Sequence, residues 1–104
     1  QLLVGGVDRN GSHVYSIDAA GGAIPDKFNT TGSGSPFVYG VLEDHFKENM
    51  SLKDGATLAV RAMNAAMKRD SASGDGISLC IIDSNGYRNF AEDEIKAIQT
   101  KLAA

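Results

Sequence analysis

The chain has 104 residues, of which 42% are hydrophobic and 22% charged, as in an ordinary globular domain. Its formal net charge of −3 is too small to predict a nucleic-acid partner, and no apolar run is long enough to predict a membrane partner. The single cysteine, Cys80, excludes an internal disulfide bond and fits a reducing compartment, so we expect a cytoplasmic protein.

The first third of the chain is predicted to form β-strands. Residues 2–7 and 13–18 are rich in β-forming side chains, and the Asn-Gly pair between them is typical of a tight hairpin. Pro25 is expected to break the pattern. Residues 27–32 have a β-type composition and are predicted to form a third strand.

The middle of the chain is predicted to form two helices. Ser35 and Pro36 are predicted to be the N-cap and first residue of one helix, because apolar residues follow at helical spacing. Ser51 precedes Asp54 by three positions, as in a capping box, and the second helix is predicted to run to about Lys68. Several alanines make this helix slim, so that it can pack closely on another layer.

The last third predicts a β-hairpin and a helix. Residues 77–83 are apolar at almost every position, which predicts a strand covered on both faces with Cys80 buried in it. A second Asn-Gly pair predicts a turn into a strand at 87–90, and residues 92–102 predict the last helix. The predicted order is β-β-β-α-α-β-β-α, an α+β fold in which helices cover antiparallel sheet.

Two loops are rich in small polar residues. Residues 30–36, "TTGSGSP", enter a helix N-terminus, where an anion can bind, although the Gly-Lys-Ser/Thr ending of a nucleotide loop is missing. A tight turn with an N-cap serine is the ordinary alternative. Residues 68–76, "KRDSASGDG", place Asp70 at a helix C-terminus, where the helix dipole disfavours negative charge. Asp70, Ser71 and Ser73 could instead satisfy the last helical carbonyls.

No metal or cofactor is predicted. His13, His45 and Cys80 lack the spacing of metal ligands, and the sequence contains no cysteine pair. Both histidines are expected at the surface. The sequence also lacks a recognisable Ser-His-Asp arrangement and a G-x-S-x-G nucleophile motif.

The two polar loops and the elements beside them resemble the C-terminal half of a proteasome β-subunit of the archaeal type. The stretch "GSGSPFVYGVLE" is followed after the helix pair by "KRDSASGDG", and the strand "GISLCIID" comes next, so the resemblance spans essentially the whole chain. It implies the N-terminal-nucleophile hydrolase fold, a four-layer α-β-β-α sandwich with antiparallel sheets. Residues 1–104 would form a single domain or the C-terminal half-domain of such a subunit.

The resemblance also implies roles for individual residues. In this family an N-terminal threonine is the nucleophile, and its own amino group acts as the base. By position, Ser33 and Ser73 would contact that amino group and Asp70 would support it. Asp18 would reach the substrate pocket of a neighbouring subunit. The two loops would thus orient a nucleophile that lies elsewhere in the subunit.

The nucleophile-bearing half of a family member has no counterpart in this sequence, and the amide of Gln1 is no nucleophile. We therefore expect the chain alone to be inactive. It is expected to be one piece of a subunit. The alternatives are a deliberately made half of a subunit and a natural half-length protein that pairs with a second copy of itself.

The expected function is to supply supporting active-site residues of a threonine-type endopeptidase in ATP-dependent protein degradation. The partners would be other β- and α-subunits in stacked rings, and the substrate an unfolded polypeptide. One alternative is a non-catalytic structural or assembly module of a proteasome-like ring. Another is a small module that binds an anion at the turn before the first helix.

Overall fold

The computed structural model describes residues 2–69 and 76–103. The order of elements and the α+β class with antiparallel sheets are confirmed, as expected for part of an N-terminal-nucleophile hydrolase sandwich. None of the helices in the described ranges is long and apolar enough to span a bilayer. In chain order, the elements are β1 (Leu2–Asp8), β2 (Gly11–Ile17), β3 (Ala23–Asp26), α1 (Ser35–His45), α2 (Leu52–Arg69), β4 (Cys80–Asp83), β5 (Gly86–Asn89) and α3 (Glu92–Ala103).

The first sheet has the antiparallel order β1-β2-β3. The prediction of a third strand at 27–32 was wrong, because β3 lies earlier and contains Pro25, which was expected to break the pattern. Among the described residues β3 pairs only with β2, where Tyr15 stands opposite Pro25. Proline is tolerated on such an edge strand because its missing N–H is not required by a further strand.

Both predicted hairpins form, but their turns lie one residue earlier than the Asn-Gly pairs suggested. Asp8 pairs with Gly11 and Asp83 with Gly86, so each glycine already belongs to the returning strand. Each aspartate Oδ1 accepts the N–H of the asparagine two residues later, at 2.8 and 2.9 Å. The glycines have φ values of 118° and 114°, a region that favours glycine. The Asp-x-Asn-Gly sequence therefore specifies the whole turn.

Helix α1 begins one residue before the predicted position. Its N-cap is Gly34, which makes no side-chain capping bond, so the prediction of Ser35 as the N-cap was wrong. The Gly34 carbonyl instead accepts the N–H of Phe37 at 3.1 Å. The cap predicted for α2 is confirmed, since Ser51 Oγ accepts the N–H of Asp54 at 3.1 Å.

The buried core is centred on α2. Val38 of α1 is 8% exposed and packs with Ala62 and Ala66 of α2, and Val41 and Leu42 pack around this cluster. Small alanine side chains allow the two helices to approach closely. The buried residues of α2 are Ala56, Leu58, Val60, Ala62 and Ala66.

The second sheet consists of β4 and β5 and is more exposed than the sequence predicted. The run at 77–83 was expected to be covered on both faces, but Cys80 is exposed and Ile82 is 39% exposed. These two residues lie on the same face, because side chains alternate along a strand. Within the described residues β4 pairs only with β5, so the prediction of a buried Cys80 is wrong.

Candidate active site

Ser33 lies in the turn that leads into α1, which we call the glycine-serine turn (residues 32–35). Gly32 has a φ of 106°, and its carbonyl accepts the N–H of Ser35 at 3.1 Å. Gly34 is buried, whereas Ser33 beside it is exposed. The glycines therefore allow a tight backbone turn, and the hydroxyl group of Ser33 stays accessible to solvent.

A side-chain contact joins the two flanks of this turn. Asn29 Oδ1 accepts a hydrogen bond from the Tyr39 hydroxyl at 2.5 Å and another from the N–H of Thr30 at 2.7 Å. The Phe28 ring lies 6.3 Å from the Tyr39 ring and 5.0 Å from the Phe46 ring, centroid to centroid. Residues 28–30, which precede the glycine-serine turn, thus contact both the N-terminal part of α1 and the residue that follows its C-terminal end.

An ion pair adds a weaker attachment nearby. The Lys27 ammonium pairs with the Glu48 carboxylate in the loop between α1 and α2. Each charge stabilises the other, so the pair raises the pKa of Lys27 and lowers the pKa of Glu48. Both side chains are more than 60% exposed, and solvent screens their attraction. The part-buried bonds of Asn29 are the better-shielded contact.

The helix pair brings the start of α1 and the end of α2 to the same place. Val38, one turn into α1, packs against Ala62 and Ala66, near the C-terminal end of α2 at Arg69. The start of α1 therefore lies beside the C-terminal half of α2, and the glycine-serine turn lies towards the end where α2 leaves the core. Of the predicted site residues, Asp70 and Ser73 lie outside the described residues.

Asp18 is exposed at the end of β2, where its carboxylate organises the turn into β3. Its Oδ1 accepts the N–H groups of Ala20 at 3.0 Å and Gly22 at 2.8 Å. A Cβ atom at Gly22 would lie 2.7 Å from Asp18 Oδ2, so the small residue is required there. This turn-forming role was missed from the sequence, although an aspartate before a glycine pair is a typical turn composition, in which the side chain bonds the backbone two residues on. A contact between Asp18 and substrate stays a prediction.

The remaining candidate side chains do not gather into a metal centre. In the described parts of the chain, no group of three His, Cys, Asp or Glu side chains is placed to hold an ion. His45 is exposed, and His13 Nε2 lies 2.9 Å from Asp8 Oδ1, a bond that lowers the pKa of Asp8. The neighbouring Cys80 thiol raises the pKa of the Tyr87 hydroxyl.

Two grooves lie away from the glycine-serine turn. One, of about 680 Å³, runs between the start of α2, the β4–β5 hairpin and α3. The other, of about 920 Å³, lies between β2, the α1–α2 loop and β4. Neither groove is lined by Ser33 or Asp18. Sequence reasoning also missed Asn29 and Tyr39, whose contact crosses the turn and leaves no local sequence signal.

Comparison with known proteins identifies the family. A family model described as "Proteasome subunit" matches residues 1–82. Over 103 residues the chain is 50% identical to the proteasome subunit beta of Methanosarcina barkeri and 52% identical to that of Picrophilus torridus, covering 98% of this chain and 49% of each relative. It is 57% identical over 99 residues to the Methanocella paludicola subunit, covering 94% of this chain and 48% of the relative. The chain thus spans about half the length of the curated relatives it matches. The predicted resemblance to the C-terminal half of an archaeal-type β-subunit is confirmed, and the chain belongs to the proteasome subunit family.

Proposed function

We propose that this chain contributes the supporting residues of a threonine-type endopeptidase site whose nucleophile lies in the other half of a β-subunit. One observation carries the proposal: exposed Ser33 lies at the end of the helix pair where α2 leads towards Asp70 and Ser73. The glycine-serine turn and the C-terminal end of α2 therefore lie at a common end of the fold. By itself the chain would not cleave peptides.

The chemistry follows from what a threonine nucleophile needs. Its hydroxyl must lose a proton to the adjacent amine, so the amine must be neutral and aimed at that hydroxyl. A serine hydroxyl can both donate and accept hydrogen bonds, so Ser33 can hold the amine in either protonation state. Ser73 is assigned the same role, and the Asp70 carboxylate would stabilise the positive charge that the amine acquires during attack.

The assembly is proposed from the same family membership. Relatives named proteasome subunit beta support assembly with other proteasome subunits. We propose that these partners are β- and α-subunits in stacked rings and that the substrate is an unfolded polypeptide in ATP-dependent degradation. A cytoplasmic location follows from that role. We assign Asp18 to the pocket of a neighbouring subunit, because it is exposed on a turn whose backbone its own carboxylate fixes.

The test replaces the matching half of the Methanosarcina thermophila β-subunit, which is 50% identical, with this chain. This chimeric subunit is assembled with the partner subunits of that organism. Unaltered, it should cleave a fluorogenic peptide. Ser33→Ala and Asp70→Ala should each lower kcat by about 10²-fold, because each removes one positioned group from the proton-transfer step. Ring assembly, followed by native mass spectrometry, should not change.

Matched controls separate chemistry from folding. Ser84→Ala removes an exposed serine hydroxyl in the β4–β5 turn, and Asp44→Asn removes an exposed carboxylate on α1. Both should leave kcat unchanged. Full peptidase activity of Ser33→Ala and Asp70→Ala in assembled rings would refute the proposal.

A second candidate is a non-catalytic assembly module. The observation that favours it is one apolar face of the first sheet, where Leu2 is 66% exposed and Val4 is 52% exposed. Such a surface suits burial against another chain or another part of the subunit. This candidate predicts that the chimeric subunit assembles into rings but that Ser33→Ala changes no measured rate.

A further inference from the structure

We infer that Asn29 and Tyr39 are positioning residues for Ser33, an inference that rests on the proposed function. Their side chains form a bridge across the base of the glycine-serine turn, which we call the Asn29–Tyr39 bridge. The contact between them is part-buried. Their role is to hold the backbone on both sides of Ser33 at a constant separation.

The geometry of the bridge supports this role. Asn29 lies four residues before Ser33, and Tyr39 lies six residues after it, in the second turn of α1. One oxygen, Asn29 Oδ1, accepts both the Tyr39 hydroxyl at 2.5 Å and the Thr30 N–H at 2.7 Å. The contact is part-buried, so water competes with it less than with an exposed bond.

The rest of the turn shows why a bridge is needed. α1 lacks a side-chain N-cap, and the only turn bonds among the described residues at its start are backbone bonds. Glycines at 32 and 34 remove the steric limits that other residues impose on a backbone. A serine between two glycines therefore keeps a single position only if its flanks are held. The Phe28 and Tyr39 rings pack beside the bridge and hold the same flanks.

The test uses the chimeric subunit in assembled rings. Tyr39→Phe deletes one oxygen and keeps the ring that packs on Phe28, and Asn29→Leu removes the acceptor. Each should lower kcat by about tenfold with KM within twofold, because a misplaced group weakens the transition state more than substrate binding. Asn29→Asp retains an acceptor oxygen and should restore most of kcat. Tyr87→Phe is the matched control, since it removes an exposed tyrosine hydroxyl that bonds Asn89, and it should change nothing.

Hydrogen exchange gives a second readout that does not depend on catalysis. The amides of residues 30–35 should exchange about tenfold faster in Tyr39→Phe and Asn29→Leu, as expected when one hydrogen bond is lost. They should exchange at the normal rate in Asn29→Asp.

The outcomes distinguish this inference from the proposed function. Loss of activity in Ser33→Ala, together with normal kcat and normal exchange in Tyr39→Phe and Asn29→Leu, overturns the bridge alone. Normal activity in Ser33→Ala overturns the proposed function and with it the positioning role. If the unaltered chimeric subunit is inactive, the proposed function fails, and an unchanged exchange rate in both variants would then reject the bridge as well. A kcat defect that Asn29→Asp does not rescue also counts against the bridge.

Discussion

Ala66→Leu tests whether the close contact between α1 and α2 sets the position of the site. Ala66 is 3% exposed and packs with Val38 and Ala62, so three added carbons have no space. Overpacking of this kind costs about 1–3 kcal/mol, either through a strained side-chain rotamer or through separation of the helices. Separation would move the glycine-serine turn away from the end of α2. A displacement of ~1 Å at a catalytic group can lower kcat by about 10²-fold.

The assay compares urea unfolding and peptidase kcat of the chimeric subunit. Ala97→Leu is the control, because it adds the same atoms at an exposed position of α3. We expect Ala66→Leu to lower both the free energy of unfolding and kcat, and Ala97→Leu to lower neither. If Ala66→Leu leaves the free energy of unfolding within about 0.5 kcal/mol and kcat unchanged, the helix contact does not position the site, and the reasoning above is refuted.

Three further predictions concern local structure. Ser51→Ala should lower the free energy of unfolding by about 1 kcal/mol, measured by urea titration, because it removes the cap on the N–H of Asp54. Gly32→Ala should cost about 1–3 kcal/mol in the same titration, because its φ of 106° strains a residue with a Cβ atom. The Ala91 N–H bond lowers the pKa of Glu94 below its ordinary value of 4.5. The ionised Glu94 carboxylate therefore stabilises the folded state fully at pH values above 4.5, and this stabilisation is lost as the pH falls through the lowered pKa. The Ala91 amide shift, followed by NMR, should titrate with a midpoint below 4.5.

Each of these predictions has a control. Ser51→Asp retains a capping oxygen and should unfold like the original chain. Gly40→Ala lies inside α1 with open space around the added carbon, so it should be neutral or stabilising. Glu94→Gln should abolish the Ala91 titration. A midpoint at or above 4.5, equal stability of Ser51→Ala and Ser51→Asp, or a Gly32→Ala variant as stable as Gly40→Ala would each contradict the corresponding argument.

Much of the architecture was predictable because its signals are local. The order of the eight elements in the described residues follows from apolar periodicity and from the turn residues that separate the elements. The Ser51 cap and the two Asp-x-Asn-Gly hairpins were predictable for the same reason, since each is closed by groups within three residues of one another. The residues of the two polar loops and of the elements beside them resemble the proteasome family, and comparison confirmed that family.

The errors arose where a segment depends on a distant partner. The third strand was expected at 27–32, but pairing with β2 selects Ala23–Asp26, because an edge position removes the penalty on proline. Cys80 was expected to be buried because an apolar strand suggests two covered faces. In the described structure its face of β4 stays exposed, and composition alone cannot say which neighbours a strand has.

By itself, the sequence determined the order of the elements, the presence of the two hairpins and the family, because these depend on contacts between near neighbours and on residue identities. Only the tertiary structure decided that the start of α1 meets the end of α2, through Val38 against Ala62 and Ala66. It also decided that Asn29 bonds Tyr39 across the turn that holds Ser33. Both contacts depend on how the chain folds back on itself, and the identity of a residue does not specify which distant atom its side chain will reach.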